Sequence, residues 1–126
     1  MNAKNLMAMT LLGLAFTSTA CSFYARSQKD YRDATAKLLK TKDADLDACY
    51  DNVLKTTPNV GGKVTVEFKV EEKTGKIEDV KADPARTSAP QPLIDCVTTA
   101  LTGLVLDPPD QRTGLATFEY EFKQKQ

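Results

Sequence analysis

The residues with the most chemistry to offer are three cysteines, Cys21, Cys49 and Cys96, in a chain of 126 residues that contains no histidine. Without histidine neither a Ser-His nor a Cys-His nucleophile can be assembled, and no glycine-rich phosphate loop follows any strand-like segment. Carboxylates such as Asp79, Asp83 and Asp95 could in principle act as acid or base, but none has a recognisable second catalytic group beside it. The expectation is a protein that is not an enzyme, with no cofactor and no small-molecule substrate. A metal site is not expected either, because no cysteines lie at short spacing and no imidazole can complete a set. Cys49 and Cys96 fall on the apolar stripes of two helical segments, so a bridge between them would staple the two helices together. In an oxidising compartment that disulfide is the expected state, and two buried thiols are the alternative.

The N-terminus indicates the compartment. Lys4 precedes the apolar run Leu6 to Phe16, and Thr17-Ser18-Thr19-Ala20-Cys21 supplies a small-residue cleavage site, the plan of a secretory signal. The run is too short for an ordinary membrane span. Cys21 resembles the lipidated first residue of a bacterial lipoprotein, although Ser18 stands where such signals usually carry leucine. Ser18-Thr19-Ala20 would also suit an ordinary signal peptidase, which would leave Cys21 as a free thiol. The odd cysteine count favours modification of the one left over. The division expected is a signal over 1–20, a tether over 21–42 with at most a short helix, and a domain over 43–126. The expected location is the bacterial cell envelope, lipid-anchored and facing the periplasm, with the outer membrane favoured over the inner. Lys plus Arg and Asp plus Glu balance at 17 each, so no field points to nucleic acid.

These residues must be positioned by a small set of elements. Leu46, Cys49, Tyr50, Val53 and Leu54 have the spacing of a helix face, and Asp43 or Asp45 can cap its start and oppose its dipole. Gly62 to Val70 alternates Val64, Val66, Phe68 and Val70 with Lys63, Thr65, Glu67 and Lys69, the pattern of a strand with one buried face. Ile77 to Ala82 is a second, shorter strand forming a hairpin with it, and Ile77 and Val80, three apart, predict a bulge or a change of face. Pro92 opens a second helix with Leu93, Cys96, Val97, Ala100, Leu101 and Leu104 on one side, ending by Leu106 before Pro108 and Pro109. Ala116, Phe118, Tyr120 and Phe122 alternate with Thr117, Glu119 and Glu121 in a third strand. The expected fold is α+β: a three-stranded antiparallel sheet in the order 2-1-3 with two helices on one face.

Cys49-Tyr50, Pro58, Gly62-Lys63-Val64, Gly75-Lys76-Ile77 and Asp95-Cys96-Val97 together resemble the C-terminal domain of the AgmX/PglI family, over about Asp45 to Phe122. This chain has Leu106-Asp107-Pro108-Pro109 where the family has an aromatic followed by proline. The family looks like a variant of the TonB C-terminal fold, in which a sheet edge receives a partner's segment. The resemblance implies an envelope protein partner and a docking edge formed by Ala116, Thr117, Phe118, Glu119, Tyr120, Glu121 and Phe122. The expected function is a protein interaction module working by sheet-edge pairing, and the alternative is a self-associating structural component with no specific ligand.

Overall fold

The computed structural model describes residues 25–124. In chain order these form α1 (Gln28–Lys40), α2 (Asp43–Thr56), β1 (Gly62–Val70), β2 (Ile77–Ala82), a 3-10 turn (Pro84–Arg86), α3 (Gln91–Leu101) and β3 (Gly114–Phe122). Both neighbours of β1 run antiparallel to it, and the sheet order is β2-β1-β3, the α+β arrangement expected.

Alternation in β1 sends Val64, Val66, Phe68 and Val70 into the core. Across β3 they meet Tyr120, Phe118, Ala116 and Gly114, so the aromatic face of β3 joins the same side. Leu46, Cys49 and Val53 of α2 and Leu93, Val97 and Leu101 of α3 bury against this surface. Burial of such side chains contributes roughly 1.5 to 3 kcal/mol each, and this one cluster supports the whole sheet. The bulge expected in β2 is present: Asp79 and Val80 together oppose Phe68, and Asp79 takes a positive φ of 53°. That extra residue lets Ile77 be fully buried while Val80 still packs on the core from its rim.

Four expectations change. The polar stretch read as a tether contains the 13-residue helix α1, with Thr35 and Leu39 buried, so the packed part of the chain begins before Asp43 and three helices cover the sheet. Its start is capped by Ser27, whose Oγ accepts from the Asp30 N–H at 3.1 Å. Asp43 and Asp45 do not cap α2; they lie inside its first turn, where they oppose the dipole, and Lys42 holds the cap position. The helix carrying Cys96 ends at Leu101 rather than reaching Leu104, because Gly103 turns the chain at a φ of +89°. β3 begins two residues earlier than its alternation suggested, at Gly114.

Candidate functional site: the free edge of β3

The two halves of the predicted site have different fates. Cys49 on α2 and Cys96 on α3 form a disulfide, with Cα atoms 5.7 Å apart and 47 residues between them in sequence. Cys21 lies outside the described residues.

The sheet has two edges, and they are not equivalent. Beside β2 the segment after α3 closes in: the Ile77 N–H donates to Leu104 O at 2.7 Å, the Ile77 carbonyl accepts from Gly103 N–H, and the Leu106 N–H donates to Gly75 O. The start of the β2 edge is therefore covered. β3 pairs with β1 on one side, and on its other side no partner strand occurs among the described residues.

Which backbone groups of β3 point outward follows from β1. The carbonyl of Lys63 accepts from Ser88 and Ala89, that of Thr65 accepts from Asp83, and the Thr65 N–H donates to Thr87 Oγ1, so these residues direct their backbone toward β2 and the turn after it. In an antiparallel ladder the intervening residues, Val64, Val66, Phe68 and Val70, then bond to β3 through Tyr120, Phe118, Ala116 and Gly114. Leu115, Thr117, Glu119 and Glu121 consequently turn both N–H and C=O to the open side. Leu115 is 83% exposed, an uncovered leucine at an unpaired edge. Glu119 and Glu121 carry exposed ion pairs, to Lys63 at 3.4 Å and Lys123 at 3.2 Å. Charges on an edge strand also discourage indiscriminate pairing.

The α1 side of this edge holds a half-open groove of about 550 Å³, lined by the beginning of α1, by Asp110, Arg112 and Thr113 and by β3 from Gly114 to Phe118. Tyr31 fills the position that a Cβ on Gly114 would need, so helix and strand approach closely there only because residue 114 is glycine. The Tyr31 hydroxyl is buried with no hydrogen-bond partner among the described residues. Burial, and then the Asp110 charge, hold its pKa above the ordinary tyrosine value. Tyr120, on the inner face of β3, is pushed up to about 12 by burial first and by Asp43 second.

At the head of the groove lies a contact that no spacing in the sequence signals. Asp110 is 3% exposed and Arg26 is 7% exposed. Asp110 Oδ2 accepts from the Arg26 backbone N–H at 2.8 Å and lies 3.7 Å from its guanidinium, while Arg26 Nη2 donates to Pro108 O at 2.8 Å. This latch fixes the entry of α1 against the loop that leads into β3.

The three carboxylates considered for acid or base chemistry occupy structural positions. Asp79 sits in the bulge, and Asp95 accepts from Gln91 Nε2 at 2.7 Å within α3. Asp83 accepts from the Ala85 N–H and from Arg86 Nε, and the Arg86 hydrogen bond, ahead of the Ala85 one, draws its pKa below the usual carboxylate value. No group of three metal-ligating side chains occurs among the described residues, and none of the described helices is long and apolar enough to cross a membrane.

No protein-family model, curated protein or solved structure matches this chain.

Proposed function

We propose that this chain is a non-enzymatic interaction module of the bacterial envelope, anchored through lipid on Cys21, that captures an extended partner segment along β3. The observation that carries this reading is the asymmetry of the sheet: the β2 edge is covered at its start by Gly103 to Leu106, whereas β3 turns four consecutive outward donor–acceptor pairs and an exposed leucine to solvent. An added strand would satisfy those groups by backbone bonds and read side chains at every second position. The AgmX/PglI-like pattern of Cys49-Tyr50, Gly62-Lys63-Val64 and Asp95-Cys96-Val97 supports the same reading, through the TonB-like use of a sheet edge.

Proline at an outward position removes one donor from the edge without breaking the bonds to β1. Thr117→Pro and Glu119→Pro are expected to melt close to wild type and to abolish capture of the partner from envelope extracts. Undiminished capture by both folded variants would remove the mechanism. The lipid anchor is tested separately by metabolic labelling with a radioactive fatty acid. Label on the wild type and none on Cys21→Ser is expected; no label on either, or label on both, contradicts it.

A second reading, self-association, is favoured by the charge pattern of β3 itself. Antiparallel pairing of two copies centred on Phe118 would set Glu119 against Thr117 and Glu121 against Leu115, so no like charges would face each other. Equilibrium sedimentation separates the two: a dimer lost in Thr117→Pro supports self-pairing, and a monomer that captures a different protein supports the first reading.

A further inference from the structure

The groove beside β3 has a charge character that says what kind of segment fits it. Its one carboxylate, Asp110, is buried and already engaged by Arg26 and by the Arg112 backbone N–H. Arg32 on α1 and Arg112 before β3 line the same groove, both exposed, and the guanidinium of neither makes an ion pair among the described residues, although the Arg112 backbone N–H donates to Asp110 Oδ1 at 3.4 Å. The nearest acid along α1, Asp33, is taken by Lys29 at 2.8 Å. All 17 Asp and Glu side chains of the chain fall between Asp30 and Glu121, so the residues outside 25–124 bring no side-chain carboxylate that could neutralise these arginines. The buried Tyr31 hydroxyl adds an unused donor at the same place.

We infer that the segment accepted at the β3 edge is acidic: an extended peptide whose backbone pairs with Leu115 and Thr117 while one or two of its Asp or Glu side chains meet Arg32 and Arg112 in the groove. The inference rests on the edge-pairing reading and adds the chemistry of the partner. Guanidinium suits this task, since its planar fork binds a carboxylate through two parallel hydrogen bonds. The glutamates on the outer face do not oppose such a ligand strongly, because Glu119 and Glu121 are already paired with lysines. A basic segment would meet Arg32 and Arg112 with no exposed carboxylate in the groove lining to offset the repulsion.

The test uses the whole chain, purified in detergent with its disulfide intact, and two fluorescent ten-residue peptides of alternating Thr and Val. One carries two Glu, and the other carries two Lys at the same positions. The acidic peptide is expected to bind about tenfold more tightly than the basic one at low salt, the sum of two modest ion pairs. The Arg32→Glu, Arg112→Glu double variant, which changes only exposed side chains, should reverse that preference with its melting curve unchanged. Thr117→Pro should lose both peptides. Equal binding of the two peptides, or a preference that survives the double variant, overturns the acidic-ligand inference; if Thr117→Pro still abolishes binding in that case, edge pairing stands. A preference that follows the arginines but is indifferent to Thr117→Pro overturns edge pairing and, with it, this inference. Binding of neither peptide to the wild type also overturns the inference.

Discussion

Replacing Cys49 and Cys96 together by Ser is expected to lower the stability of the folded chain by up to about 4 kcal/mol, the chain-entropy value for a closed loop of this length. The bridge joins α2 to α3 across 47 residues, a loop that contains β1 and β2, so its loss frees much of the sheet in the unfolded state. For a domain of this size such a change lowers the melting temperature by roughly 15 to 30 °C. The helices would retain Leu46, Val53, Leu93 and Val97 in the core, so the prediction is loosened stability rather than a different fold. Melting curves of the wild type, the double variant and the reduced wild type measure it. Superimposable curves would show that packing between α2 and α3 is sufficient without the bond.

The second large effect is expected at Asp110. Asp110→Ala removes the carboxylate that accepts from the Arg26 backbone and faces its guanidinium, while Pro108 O still holds the arginine in place. Breaking one side of a buried ion pair costs about 3 to 5 kcal/mol, and here it also takes away the acceptor of the Arg26 backbone N–H. The damage should be local first: amides of α1 should lose protection from exchange before those of β1, because the latch is what fixes the entry of α1. Asp110→Asn, which keeps a side-chain oxygen to accept from the Arg26 backbone N–H, should cost less than Asp110→Ala. Urea titration of the wild type and the two variants gives the values. An Asp110→Ala protein within 1 kcal/mol of wild type would mean that the latch holds nothing, by the scale on which ordinary surface changes fall.

How far the sequence revealed this structure depends on the kind of signal each element carries. β1 was legible to the residue, since strict alternation after the Gly61-Gly62 pair leaves one register for a half-buried strand, and β2 was legible in its bounds as the short partner of a hairpin. The break in alternation between Ile77 and Val80 pointed to the bulge for the same reason. α1 was hidden because its inward line, Tyr31, Thr35 and Leu39, passes through a threonine, and polarity at the middle position masks the helical period. Thr35 is tolerated there because its hydroxyl donates to the Tyr31 carbonyl at 2.6 Å. The end of α3 was overrun because Leu104 keeps the apolar spacing beyond the Gly103 turn, while its carbonyl in fact bonds to Ile77. Of the site, the edge strand and the cysteine pair were legible. The Arg26–Asp110 latch was not, since a contact between residues 84 apart leaves no periodic trace. The direction of the backbone groups on β3 required the pairing of β1 on both sides.

The central claim, that β3 presents a free edge built for pairing, is tested most directly by amide hydrogen exchange along that strand. In the free monomer the amides of Leu115, Thr117, Glu119 and Glu121 should exchange fast while those of Ala116, Phe118 and Tyr120 are protected by β1, and a bound partner segment should slow the first set. Outward amides already protected in the monomer, or still fast when the captured partner is bound at saturation, would contradict the account.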